Sequence, residues 1–242
     1  MVTKIRTFAG LVAAVLTVAT AAGQDSDGPK ESRSGENPPA EGRALVPQSG
    51  LGKWREADYG GLGVVDVEDG VLSLGAGDPL TAVVWTGPVG TDAKDALPAM
   101  NYRLSWEARR VMGGDFFSTC TFPVGEECCS LVLGGWGGAV TGLSTLNEFD
   151  AVRNDTCDSR KFEDDRWYKF TITVRPDEIA ATCDGEPLFP AIDPREYRVG
   201  VRVEMEPAKP LSFSSYVSSG EIRNVRMTPL PPRAVKPVKE WP

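Results

Sequence analysis

Glu148 and Asp150 are separated by one residue, Phe149. On a strand, residues two apart share a face and lie about 6.5–7 Å apart. That is close to the separation of the paired carboxylates that cleave glycosidic bonds. Two crowded carboxyl groups also push their titrations apart, which makes an acid of one and a base of the other. The plainer reading is a solvated loop after Leu146-Asn147, since exposure is the commonest state of Asp and Glu. Glu107 and Arg109 are a second pair, on the strand face opposite Trp106. On a concave face they can bind sugar hydroxyls or steady a developing enolate. On an exposed sheet they are a cross-strand ion pair worth about 0–1 kcal/mol. Trp136 is the third candidate, with two glycines on each side. Glycine lets a ligand or a second backbone approach closely, so a flat ring there can stack on a sugar. The alternative is a core tryptophan under a bulged strand. Asn154-Asp155-Thr156 is a glycosylation acceptor triplet of a kind that often arises by chance.

The chain has no histidine. This removes Ser-His-Asp and Cys-His nucleophile activation and His-ligated zinc. Acid–base chemistry falls to Asp, Glu, Lys, Tyr or Cys. No cofactor is directly implied, and any metal would be a hard cation held by oxygen, such as calcium. The five cysteines are Cys120, Cys128, Cys129, Cys157 and Cys183. In an exported chain they are expected to oxidise, with Cys120 pairing across a hairpin with Cys128 or Cys129. Their spacing lacks the C-x2-C knuckles of zinc sites.

Export is read from the N-terminus. Lys4 and Arg6 precede an uncharged Ala-, Val- and Leu-rich stretch, Phe8 to Ala19, which exits through Ala21, Ala22 and Gly23. These are the parts of a secretory signal, and the stretch is shorter than the roughly 20 apolar residues of a membrane span. Residues 1–23 are therefore expected to be a signal peptide, and the rest a secreted, periplasmic or cell-envelope protein. Residues 24–50 are Pro-, Gly-, Ser- and acid-rich, the composition of a disordered linker. Residues 51–230 are long enough for one domain with a real core. Residues 231–242 are a Pro-rich tail. The formal charge is −8, and loss of Lys4 and Arg6 makes the remainder two units more negative. Such a chain is ill suited to nucleic acid, whose phosphates need a basic face.

Within residues 51–230 the pattern has period two, broken by Gly, Pro, Asn and Asp. Tyr102, Leu104, Trp106 and Ala108 alternate with Arg103, Ser105, Glu107 and Arg109, and Tyr168, Phe170, Ile172 and Val174 repeat the pattern. Asp69-Gly70 and Asp184-Gly185 are hairpin turns. Strands are also predicted at Val71–Leu74, Thr81–Trp85, Asp115–Phe122, Cys129–Trp136, Ile179–Cys183, Val199–Met205, Leu211–Ser215 and Glu221–Leu230. About a dozen short strands without a convincing amphipathic helix define an all-β chain. One polar face on many strands points to a two-sheet antiparallel β-sandwich with a solvated outer surface.

Several segments occur together in order: Gly114-Asp115-Phe116-Phe117, Thr121-Phe122-Pro123-Val124-Gly125, Gly134-Gly135-Trp136-Gly137-Gly138, Arg166-Trp167-Tyr168, and a closing Glu221-Ile222-Arg223-Asn224-Val225-Arg226. This arrangement resembles the 3-keto-disaccharide hydrolase-like domain family over about Leu51 to Leu230. The resemblance implies a concanavalin-like jelly roll, export, and a carbohydrate or glycoside partner. It further implies cleavage of oxidised glycosides by carboxylate chemistry, or a carbohydrate-binding or envelope-associated module without catalysis. The Glu148-x-Asp150 pattern is similar to that of laminarinase-like jelly rolls. Those carry a further Glu shortly after, where Ala151, Val152 and Arg153 stand here.

Overall fold

The computed structural model describes residues 42–235 and residue 237. The expected signal peptide, most of the linker and most of the tail lie outside the described residues. Among the described residues fourteen strands, numbered in chain order, form two antiparallel sheets. The eight-stranded sheet runs β12 (Glu186–Pro187), β11 (Glu178–Cys183), β10 (Tyr168–Arg175), β6 (Tyr102–Met112), β14 (Ser219–Pro229), β4 (Val71–Leu74) and β3 (Val65–Glu68). Its eighth strand, β1 (Arg43–Ala44), pairs with β14. The six-stranded sheet runs β2 (Trp54–Glu56), β5 (Leu80–Trp85), β13 (Ser212–Tyr216), β7 (Thr119–Val124), β8 (Glu127–Gly134) and β9 (Val140–Ser144). The chain is an all-β sandwich of jelly-roll type.

The alternation on β6 and β10 does what it predicts. Trp106 and Phe170 face each other in register and stack at 5.5 Å, and Trp106 meets Phe213 of the opposite sheet at the same distance. The Trp106 indole donates to Ser118 Oγ at 3.0 Å, and the Tyr102 hydroxyl donates to the Pro123 carbonyl at 2.6 Å. Both of these polar tips are therefore satisfied. Asp69-Gly70 and Asp184-Gly185 adopt positive φ at both positions. This is the primed two-residue turn whose twist matches the flanking strands.

The six-stranded sheet departs from the expectation of a solvated outer surface. Every residue of β5, β7 and β9 is buried. Cys120, Phe122, Leu131, Leu133, Leu143 and Phe213 point into the core. By alternation Thr119, Thr121, Ser130, Val132, Ser144, Ser212 and Ser214 point outward. That outward face is roofed in part by loops: Ala57 and Tyr59 pack on Ala82 and Val84, while Phe116 and Ala151 pack around Val132 and Val140.

Three further expectations are corrected. Residues 199–205, read as a strand from alternating Val199, Val201, Val203 and Met205, instead lead into a 3-10 segment, Val203–Ala208, with Met205 buried and Val203 exposed. The linker expected to reach residue 50 yields to the sandwich earlier. Arg43–Ala44 joins a sheet, Leu45 is only 3% exposed, and its carbonyl accepts from the Trp54 indole. No disulfide forms: all five cysteines are free. For the expected hairpin pair register is the reason, since Cys120 sits opposite Leu131, Cys128 opposite Pro123, and Cys129 opposite Phe122. Burial pushes the Cys128 thiol up to about 11 and the Cys129 thiol up to about 12, and raises Cys120 and Cys183 as well. Cys157 is exposed. Because the thiolate is the reactive form, a disulfide-exchange reagent at pH 8 is expected to titrate one thiol in the native protein and the other four only on unfolding. Two or more fast thiols in the native state would contradict this packing.

Candidate functional site

A cleft of about 460 Å³ opens on the outer face of the six-stranded sheet, within the size range of ligand pockets. Thr119, Ser130, Val132 and Ser144 supply its floor from β7, β8 and β9. Small side chains there leave room that larger ones would fill.

The walls are aromatic. Phe116 and Tyr216 contact each other at a tilt with ring centres 5.6 Å apart, and Trp136 lines the same cleft with 41% of its surface exposed. Trp136 sits on the Gly134–Gly138 reversal, where Gly134, Trp136, Gly137 and Gly138 all take positive φ. For a tryptophan at φ 52° this backbone is uncommon and costs energy. Asp115 holds it there: Oδ2 accepts from the Gly137 amide at 2.7 Å while Oδ1 accepts from the Phe116 amide at 2.8 Å. One carboxylate thus fixes both aromatic walls. The core alternative for Trp136 does not apply.

The charged edge is Arg202. Its Nη1 donates to Asp150 at 2.7 Å, and its Nε and Nη2 donate to the two Glu204 oxygens at 3.3 and 3.2 Å. Asp150 also accepts from Ser144 Oγ at 3.3 Å. The hydrogen bond from Arg202 holds the Glu204 carboxyl below the usual carboxylate range, and Glu204 in turn raises the guanidinium. The fork therefore persists at neutral pH and releases as pH falls through the lowered Glu204 value.

The Glu148–Asp150 strand geometry is not formed. Asn147 and Glu148 both have positive φ, and Leu146 bridges Phe149. The two carboxylates therefore flank a tight turn instead of sharing a strand face. Glu148 is exposed and ion-pairs with Arg198, while Asp150 reaches the cleft edge through Ser144 and Arg202. Glu107 and Arg109 stand on β6, in the other sheet. Glu107 accepts from Arg223 and Asn224, Arg109 pairs with Glu221, and both arginines flank Trp167, with guanidinium-to-ring distances of 4.9 Å for Arg109 and 3.9 Å for Arg223. Burial opposes ionisation of Glu107, but the Arg223 and Asn224 hydrogen bonds outweigh it and lower its titration. Of the five candidates, Trp136 lines the cleft, Asp150 supports its edge, and Glu148, Glu107 and Arg109 lie elsewhere. Sequence reading missed Thr119, Tyr216, Arg202 and Glu204 as site residues. Asp115 and Phe116 were visible only inside the Gly114-Asp115-Phe116-Phe117 motif.

Among the described residues no group of three or more His, Cys, Asp or Glu is placed to hold a metal ion. Among the same residues no helix is long and apolar enough to cross a membrane.

Fold and cleft together define a jelly-roll sandwich with an aromatic-walled, hydroxyl-floored cleft on its smaller sheet. No protein-family model matches the chain and no curated protein matches it. Solved structures do resemble it. A carbohydrate-binding module from Bacillus subtilis is 6% identical, over 73% of this chain and 95% of that one, with a TM-score of 0.48. An endo-acting O-glycanase of the human gut microbiota is 13% identical, over 80% and 100%, with a TM-score of 0.49. The ligand-free Crh5 transglycosylase is 11% identical, over 79% and 86%, with a TM-score of 0.48. At these identities and scores the likeness says nothing of this chain's ligand or reaction.

Proposed function

We propose that the protein binds a saccharide or glycoside in this cleft and works outside the cytoplasm. The observation that carries the reading is one cleft lined by an exposed Trp136, a Phe116–Tyr216 pair and a floor rich in hydroxyls. Flat apolar rings and small polar groups are what a sugar offers matching surface to: apolar C–H patches and many hydroxyls. Thermal melts and calorimetry against a broad panel of oligosaccharides and 3-keto-glycosides test it. A melting rise with a measurable Kd for at least one is expected, and silence across the panel would sink it. Export is tested by N-terminal sequencing of the mature protein, where a start at Met1 or Val2 would contradict it.

The finer form of the proposal, supported by the family resemblance and by the position of Asp150, is cleavage of a glycoside oxidised at C3. The ketone acidifies the C2 hydrogen. A carboxylate takes that proton, the C–H electron pair becomes the second bond of C1=C2, the C1–O bond breaks with its electron pair going to the glycosidic oxygen, and that oxygen takes the proton from the newly formed carboxyl group. Asp150 at the cleft edge is the candidate base. Asp150→Asn is expected to lower turnover of 3-keto-glycosides by about 10²–10⁴ if it transfers the proton. A change under about threefold leaves binding as the function. Glu107→Gln serves as the control on the far sheet: saccharide affinity should stay within twofold of wild type, with stability changed by less than about 1 kcal/mol in a denaturant titration.

A further inference from the structure

We propose that the cleft selects uncharged saccharides over uronates and sulfated sugars, and that the Thr119 hydroxyl reads one sugar hydroxyl on its floor. The inference rests on the saccharide reading and narrows it.

Asp115 and Glu204 line the cleft, Asp150 stands at its edge, and Arg202 is the one cation among the lining residues. That single guanidinium already serves two carboxylates, Asp150 at 2.7 Å and Glu204 through a two-point fork. An arginine recognises a ligand carboxylate or sulfate by offering it charge and paired donors. Here the charge is shared inside the protein, and Asp115 adds a carboxylate without a lining cation to balance it. An anionic sugar brought between these walls meets net negative charge, which a neutral sugar does not feel.

Ser130 Oγ bonds Thr121 Oγ1 at 2.9 Å, Ser144 Oγ donates to Asp150, and Ser214 Oγ donates to the Thr119 carbonyl. Thr119, in contrast, is 2% exposed, lines the cleft, and its Oγ1 has no hydrogen-bond partner among the described residues. Buried hydroxyls are almost always partnered; Ser212 and Ser215 on the same sheet also carry unpartnered hydroxyls, but of these residues only Thr119 lines the cleft, which makes it the floor position where a ligand group can complete the set. A sugar hydroxyl, donor and acceptor at once, matches a threonine hydroxyl.

The test is calorimetric titration of neutral gluco-, manno- and galacto-oligosaccharides beside oligogalacturonate, oligomannuronate and sulfated galacto-oligosaccharides. At least one neutral member is expected to bind, with every anionic counterpart at least about tenfold weaker. Thr119→Val, which keeps the side-chain shape, should retain the wild-type melt and weaken the neutral ligand by about five- to tenfold, the size of one lost hydrogen bond. Thr119→Ser should retain affinity. The double variant Asp150→Asn, Glu204→Gln frees Arg202 and should gain uronate binding. A uronate that binds more tightly than its neutral counterpart overturns the charge selection. Unchanged affinity in a folded Thr119→Val overturns the floor contact. Binding of no saccharide of either class overturns the saccharide reading together with this one, which separates that failure from the first two.

Discussion

Trp136→Ala is expected to weaken saccharide binding by about thirtyfold or more while leaving the melt almost unchanged. A central aromatic anchor is typically worth about 2 kcal/mol or more when truncated, which is about thirtyfold in Kd. The stability half of the expectation follows from placement. The ring keeps 41% of its surface exposed and is absent from the core cluster. Its backbone is at φ 52°, where a Cβ is unwelcome. Replacement by glycine relieves that strain, so Trp136→Gly should be at least as stable as Trp136→Ala. Calorimetry and thermal melts of both variants check this. Unchanged affinity would remove Trp136 from the site, and a melt lowered by more than about 10 °C would make it a structural residue.

Trp106→Ala is expected to cost about 3–5 kcal/mol of unfolding free energy, the usual loss for truncating a buried tryptophan. Its side chain is 1% exposed and touches Phe170 in its own sheet and Phe213 in the other. Removal opens a void at the seam and orphans the Ser118 hydroxyl that accepts its indole N–H. Against a typical total of about 5–15 kcal/mol, the variant should be marginally folded at best. Urea titration measures it. A loss below about 1.5 kcal/mol would mean that the two sheets do not depend on this contact.

The two tryptophans also mark what the sequence reveals and what it conceals. Trp106 lies in a clean alternation, and its strand, partner strand and inward face are all legible, because one face of β6 is dry and the other wet. The six-stranded sheet is harder to read. Both of its faces are buried, so β9 shows only Val140, Thr141, Gly142, Leu143 and Ser144, with no polar–apolar contrast. Its small outward hydroxyls leave space for the cleft, and they resemble ordinary loop residues when read along the chain. Residues 199–205 alternate well enough to predict a strand, yet pair only at their start, where Val199 bridges Leu146 and Gly200 bonds Thr145, and then turn into Val203–Ala208. Glu148 and Asp150 fit a strand on spacing alone; Asn147 and Glu148 at positive φ make the local structure a turn. The cleft itself collects Asp115 and Phe116, Thr119, Trp136, Arg202 and Glu204, and Tyr216 from distant parts of the chain. Only the tertiary fold brings them together, and no local spacing announces the set.

The sugar is expected on the outer face of the six-stranded sheet. The most direct measurement is a crystal structure of the protein soaked with the tightest-binding oligosaccharide from the panel. A sugar ring against Trp136, facing Phe116 and Tyr216 and within hydrogen-bond reach of the β7 to β9 floor, is the predicted result. A sugar bound instead on the opposite sheet, over Trp167 between Arg109 and Arg223, with the cleft empty, would contradict it.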